Sequence, residues 1–507
     1  MDRRLIALFA LIIASGVVLR LVTLRFGTFM EPDVYAYYSV AQQTIANNLT
    51  ITSQLSGFPL HNPYNEMPGL VYMAIFFSWV TGNLAASMLL LPVVFAFFEM
   101  IIVYMLAQKL SGNRYMALLA MLLFALMPGA AYKNVAGEWR GESFVPLFLG
   151  AALLLLMYAY ERRDGRLYAL SVVPLALSVW TWKGGIYAIA VVAVLAILYL
   201  VYMWRRSLVH VLAAGSLLSL VGFLAFAHAG STGIYTVTTA LDTIAELQPP
   251  TATFLVIQFG LAIGLAPVGA LLYALKDRYK TRGNDWDTAF AFIALFSLFA
   301  VTMALQMNAL RYMTLVAMPI SIFAAYSVFV FYTEPQKRRI WTGLLLVLVI
   351  AVAALLAGAQ APSWSPGTVN QQFMDALAWV HNNTAANATF LTNWPDGSLV
   401  EGVAQRQSYS DSVFGIGAAW RQFPDFLFAR QGNLSYLSHI KPDYVLVRRY
   451  WVGEAGAMAL EGNLSEDSTL NGTNFMALEN GTPLQNLTLV YRNNDTLIYR
   501  YLHGGGG

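Results

Sequence analysis

The sequence predicts an α-helical polytopic membrane protein with a C-terminal extracytoplasmic α+β domain. Three observations predict it. The chain of 507 residues is 58% hydrophobic and only 11% charged, far below the roughly 25% charge of a soluble protein. Runs of about 20 apolar residues recur from Leu5 to Gly358, each long enough to cross roughly 30 Å of hydrocarbon. After Gln360 the composition turns polar, which divides the chain into a transmembrane part, residues 1–360, and a soluble part, residues 361–507. A net charge of +3 gives no sign of a nucleic-acid partner, and without cysteine neither disulfides nor thiolate metal sites are available.

The first run, "LIALFALIIASGVVLRLVTLRF", follows "MDRR". A secretory signal has a shorter apolar core and a small-residue cleavage site, so this run is read as a retained first helix. Basic clusters stand at Arg3 and Arg4, between Lys109 and Arg114, and in "ERRDGR" 161–166, "WRRS" 204–207, "KDRYKTR" 276–282 and "QKRR" 336–339. Cytoplasmic loops collect Lys and Arg. Placing all six inside weaves about 11 helices, or about 13 if segments such as 68–81 also cross. Either count is odd, so the tail falls outside. Residues 27–67, 129–142, 229–253 and 307–311 then share its side.

The tail supports that sidedness. Of its thirteen asparagines, eight open an N-x-S/T triplet: Asn382, Asn387, Asn433, Asn463, Asn471, Asn480, Asn486 and Asn494. Such acceptors belong to exported surface. "QQFMDALAWVHNN" has apolar residues at helical spacing (Phe373, Ala376, Leu377, Val380). "ATFLTNW" and "YVLVRR" read as buried strands, and "NLTLVYRNNDTLIYRYL" as a hairpin turning at Asn493–Asp495.

Three external loops, far apart in sequence, carry acids: Glu31 and Asp33 in "FMEPDVYAYY", Glu138 and Glu142 in "AGEWRGESF", and Glu246 in "TIAELQPPT". Singly, each has a plain explanation. Asp33 can cap a short helix beginning at Val34, and Glu142 can satisfy free amides at the mouth of the next helix. Glu138 can do either, and Glu246 can be a solvated loop residue beside Pro249 and Pro250. Together they point to chemistry, because carboxylates are hard ligands for Mg²⁺ or Mn²⁺ that leave room for phosphate oxygens. Arg311 opens a membrane helix on the same side. A guanidinium at that depth is costly unless paired, and its fork suits phosphate. Acids, a metal and an arginine fit transfer from a lipid-linked phosphate donor.

These residues carry a resemblance. "TIAELQPPT" resembles the TIxE motif of the oligosaccharyltransferase catalytic subunit, and "MEPDVYAYY" its first-loop segment. "NVAGEWRGESF" resembles its second-loop DxD-like motif, and "NALRYMTLVAMPISI" the helix bearing its lipid-phosphate arginine. "LTNWPDGSLVEGVAQRQSYSDS" resembles the region of its WWDYG signature. The order spans most of the chain and is most similar to the single-subunit archaeal form. The resemblance implies a C-type glycosyltransferase fold in the cell (plasma) membrane, with catalytic loops and C-terminal domain external. It implies transfer of an oligosaccharide from a dolichol-type carrier to asparagine of N-x-Ser/Thr, among membrane lipids and without nucleic acid. By the same resemblance Asp33 and Glu246 bind the acceptor amide, Asp33, Glu142 and Glu138 hold Mn²⁺ or Mg²⁺, and Arg311 holds the lipid phosphate. Trp394, Asp396 and Met458 contact the acceptor sequon.

The chain departs from the family pattern in places. Arg140 stands where the first acid of the DxD-like motif is usual. "WPDG" aligns Asp396 with the signature aspartate if anchored on Trp394, and Pro395 if anchored on Gly397. No lysine follows Lys441, leaving "VGEAGAMALEG" with Met458 as the counterpart of a later helix. Competing readings are a protein O-mannosyltransferase type of lipid-linked sugar transferase, and a lipid-linked sugar transporter or flippase. The latter would place charges near the bilayer midplane. "WTWKGG" reads as a tight external hairpin with both tryptophans at the interface and Lys183 snorkelling. His61 and His381 are isolated, and Tyr35, Tyr37 and Tyr38 read as packing.

Overall fold

The computed structural model describes residues 3–51, 68–231, 249–276, 286–333, 336–361, 369–409, 426–449, 472–482 and 484–503. The chain divides into two compact units. The first comprises Met1–Gly27, Leu90–Thr238 and Ile244–Ser365, and the second Thr28–Leu89, Thr239–Thr243 and Pro366–Gly507.

The first unit is helical. Among the described residues seven helices of the chain are long and apolar enough to cross a membrane. An eighth is added if Ala252–Phe259 and Ala262–Leu275, bent by 81°, are one broken span. The predicted count of about 11 is reached if that pair is one span and the shorter apolar helices Arg114–Leu126, Gly165–Thr181 and Leu208–Leu224 also cross, and Pro68–Thr81 belongs to the larger count of about 13. Helices apolar on every face belong inside a bundle or against lipid. Trp286–Gln306 and Leu310–Phe331 take the interior, being 72% and 83% buried, whereas Arg3–Phe26 and Gly343–Gln360, each 17% buried, keep most of their surface for lipid. Rings fill the interior: Phe292 stacks on Tyr273 at 4.9 Å and meets Phe323 edge-on at 5.9 Å. The "ERRDGR" cluster makes a tight helix-to-helix turn. Arg163 closes one helix in the left-handed region, and the Asp164 carboxylate caps the next by accepting from Arg166 N–H.

In the second unit the tail forms a mixed five-stranded sheet of order β2-β1-β3-β5-β4. The strands are β1 (Thr389–Leu391), β2 (Gln407–Ser408), β3 (Tyr444–Arg448), β4 (Leu487–Arg492) and β5 (Thr496–Tyr501). β1 lies parallel to β2 and β3, while β5 runs antiparallel to β3 and β4. The predicted hairpin is β4–β5, turned by Asn493, whose side-chain oxygen accepts from the Asp495 and Thr496 N–H groups. The predicted helix is Gln371–Asn383, capped by Asn370, and it buries Phe373, Ala376, Leu377 and Val380 as its spacing requires. The first-loop helix Pro32–Ala46 packs on the Trp394–Leu399 helix and on the π-helical turn Val400–Ala404 that continues it.

Candidate active site

The loop between Arg114–Leu126 and Val145–Arg162 is built from its own side chains. Trp139 is fully buried against Phe144 at 4.9 Å, and Phe144 against Phe95 at 4.9 Å. The first helix holds the middle of the loop: Ala136 N–H donates to Arg20 C=O at 2.9 Å, and Thr23 Oγ1 donates to Ala136 C=O at 2.8 Å. Ser143 Oγ donates to Lys133 C=O and, at 3.1 Å, to Glu138 C=O, folding the loop onto itself. Glu138, Arg140 and Glu142 are therefore all buried. Buried charge persists only when paired, and each of these is.

Glu142 and Arg311 are brought together. Arg311 Nε donates to Glu142 Oε1 at 3.2 Å and Nη2 donates to the same oxygen. Arg140 Nε lies 3.8 Å from the other oxygen, an ion pair too long to be a hydrogen bond. Lys133 Nζ lies 3.2 Å from Glu138 Oε1. The Arg311 guanidinium also lies 5.5 Å above the Trp182 ring, within cation–π range. Trp182 is 4% exposed, which corrects the reading that put both tryptophans of "WTWKGG" at the interface. Trp180 is exposed as expected. Trp182 turns inward because Gly141, next to Glu142, lacks the Cβ that would overlap it. The Lys183 side chain lies outside what is described. Beside Arg311, Tyr312 and Tyr187 share a hydroxyl hydrogen bond of 2.9 Å. A quarter of the Arg311 side chain remains exposed.

A divalent cation would find hard oxygen donors in Glu142 and Glu138, which suit Mg²⁺ or Mn²⁺. Among the described residues no group of three or more His, Asp or Glu converges. Glu246 and Met458 lie outside those residues, as does His61.

Asp33 and the signature region belong to the second unit. Asp33 is half-buried in the first turn of Pro32–Ala46. It does not cap a short helix from Val34: Glu31 is the cap residue, extended and without a side-chain cap bond, Pro32 begins the helix, and the helix runs fifteen residues. Tyr35 and Tyr38 pack against Phe29 at 5.0 and 5.5 Å, as their packing role predicts. Burial pushes the Tyr35 phenol up to about 12, against the pull of hydrogen bonds with Phe29 and Thr28. Trp394 is half-buried at the start of its helix, whose cap is Asn393. Asp396 is fully buried, and its Oδ1 accepts from Arg448 Nη1 at 2.9 Å. Arg448, also fully buried, donates to Asp495 through Nε at 2.8 Å and Nη2 at 3.1 Å. Asp396 thus faces the sheet. His381 Nδ1 lies 3.1 Å from Ala404 C=O, a structural contact.

A bundle of membrane helices with an acid–arginine site in its loops, joined to a C-terminal globular domain, defines the class: this is a C-type glycosyltransferase fold. The same fold is seen in the archaeal oligosaccharyltransferase AglB of Archaeoglobus fulgidus, solved with an inhibitory peptide and a dolichol-phosphate. That match has a TM-score of 0.76 at 16% identity over 97% of this chain and 79% of that one. AglB in complex with Zn and sulfate matches with a TM-score of 0.74 at 17% identity, over 96% of this chain and 78% of that one. ArnT of Cupriavidus metallidurans bound to undecaprenyl phosphate matches more distantly, with a TM-score of 0.53 and 11% identity over 98% of both chains. The chain belongs to the oligosaccharyl transferase STT3 family, whose N-terminal model matches residues 5–391. A curated relative, dolichyl-phosphooligosaccharide-protein glycotransferase 2 of Pyrococcus horikoshii, is 24% identical over 241 residues. That stretch is 46% of this chain and 29% of the relative's length.

Proposed function

We propose that this protein is an oligosaccharyltransferase: it transfers an oligosaccharide en bloc from a dolichol-phosphate or pyrophosphate carrier to asparagine of N-x-Ser/Thr in exported polypeptides. It acts as a single subunit on the external face of the cell membrane, with residues 361–507 as the extracytoplasmic domain that reads the sequon. The observation that carries this reading is the Glu142–Arg311 pair, a buried carboxylate holding a part-exposed guanidinium where a membrane helix begins. In a resting site the carboxylate occupies the arginine, and the donor's phosphate takes its place on binding.

An amide nitrogen is a poor nucleophile because its lone pair is delocalised. Asp33 and Glu246 accept hydrogen bonds from the acceptor amide and weaken that conjugation, while Arg311 fixes the phosphate, so positioning and preorganised charge supply most of the acceleration. Glu142, with Asp33 and Glu138, would supply oxygen ligands to Mn²⁺ or Mg²⁺, which would contribute Lewis-acid stabilisation of charge on the leaving phosphate. Trp394, Asp396 and Met458 contact the sequon, with Asp396 oriented by Arg448.

The test is direct. Purified protein incubated with lipid-linked glycans, a fluorescent N-x-T peptide and Mn²⁺ gives a mobility shift, and Glu246→Gln abolishes it while the protein stays folded. Full turnover by that variant removes Glu246 from the chemistry. Transfer to serine hydroxyls or to lipid instead of asparagine replaces the reading with that of another lipid-linked sugar transferase.

A further inference from the structure

Glu99 sits midway along the bilayer-length helix Leu84–Ser111, with no exposed surface. A carboxyl group there is expensive, and exchange of such a group for an apolar residue is often neutral or better for stability. Its neighbours show what it holds. One oxygen accepts from Asn134 Nδ2 at 2.5 Å. Asn134 stands near the start of the loop that carries Glu138, Arg140 and Glu142. Glu99 therefore anchors that loop to the helix Leu84–Ser111.

Arg20 completes the knot. Also fully buried, it donates through Nη1 to Gly16 C=O and Ala125 C=O, each at 3.0 Å, and its charge acts on Glu99. Its own carbonyl holds Ala136 N–H. Gly16 C=O keeps its helical partner when that side chain is lost, whereas Ala125 C=O, in the last turn of Arg114–Leu126, loses its donor in any Arg20 variant, so variants are compared only on a common Arg20→Met background.

We infer that Glu99 is a positioning residue: by holding Asn134 it fixes the start of the acid-bearing loop, and so the direction in which Glu142 meets Arg311. The inference rests on the proposed transfer reaction for its kinetic consequence and on the structure alone for its mechanical one. Removal of Glu99 singly would strand Arg20 as an uncompensated buried cation, so the test uses two double variants. Arg20→Met/Glu99→Leu removes both ionisable groups and the hold on Asn134. Arg20→Met/Glu99→Gln removes both ionisable groups but keeps an amide oxygen able to accept from Asn134.

Both are assayed as full-length protein in detergent, by thermal unfolding, by hydrogen exchange over residues 132–147, and by glycan transfer to an N-x-T peptide. The expected result is similar melting for the two. In the Leu variant exchange quickens at least tenfold at Asn134 and its loop neighbours, and kcat falls on the order of 100-fold, the cost of an ångström-scale misplacement. Acceptor KM is unchanged, and the Gln variant recovers most of the loss. Equal exchange in both variants, or equal kcat, overturns the inference. If wild-type protein transfers no glycan, the proposed function fails, and the exchange comparison still decides whether Glu99 sets the loop.

Discussion

Arg448→Met puts the strongest strain on the account of the C-terminal domain. Arg448 is fully buried at the end of β3 and serves two carboxylates, Asp396 at 2.9 Å and Asp495 at 2.8 and 3.1 Å, with its guanidinium 3.9 Å above the Phe373 ring. Methionine fills comparable space but leaves both acids uncompensated, and breaking a buried pair this way costs about 3–5 kcal/mol. Amides of β3 and β5 that open only with the whole domain should then exchange two to three orders of magnitude faster, since about 1.4 kcal/mol is tenfold. The effect has a pH signature. Burial alone would raise the Asp495 carboxyl, but Arg448, Asn370 and Thr496 hold it below the usual carboxylate range. A depressed folded-state value contributes stability above the unfolded carboxyl's titration, and that stability is lost as pH falls through the folded value. In the variant the stranded acids prefer their protonated forms, so the deficit relative to wild type narrows on acidification. Exchange of β3 and β5 amides in both proteins, at neutral pH and near pH 4, measures it. Equal protection at neutral pH, or a deficit that widens in acid, refutes the reasoning.

Two further outcomes follow from the same geometry. Gly402 has no room for a side chain, since a Cβ there would stand 2.6 Å from Tyr35 C=O, on the helix that carries Asp33. Gly402→Ala should push the Val400–Ala404 turn off that helix and lower kcat roughly 10- to 100-fold with helical content unchanged by circular dichroism; full activity would show that the contact does not position Asp33. Arg140→Asp replaces a cation beside Glu142 with the acid usual in the family and should tighten Mn²⁺ binding several-fold by titration, whereas unchanged or weaker binding takes residue 140 out of the metal's surroundings.

The parts of this protein legible in its sequence are those set by local pattern. The Gln371–Asn383 helix buries the four residues its spacing marks, and the hairpin turns at Asn493–Asp495 because asparagine there supplies its own acceptor for the next amides. The pairing of Glu142 with Arg311, across 169 residues, was open to chemical reasoning because an arginine at a membrane helix end requires an anion. Trp182 was misread because a W-x-W turn at a helix end has an interfacial meaning by default. Only tertiary contact with Gly141 reveals that one of the two rings faces inward. The ion pair of Asp396 is likewise hidden, since nothing near it in sequence announces Arg448, 52 residues on in a strand that reads as apolar.

Arg20 and Glu99 make the general point. Each lies within a run read as membrane-spanning, where hydropathy averages a single charge away, and neither has an opposite charge at helical spacing. A charge in an apolar span signals that something must compensate it, but the compensating groups sit on other helices and in a loop. Sequence therefore reports the cost of such a residue, and only the fold reports what that cost secures: here, a buried carboxyl group joined to Asn134 in the loop where Glu142 meets Arg311.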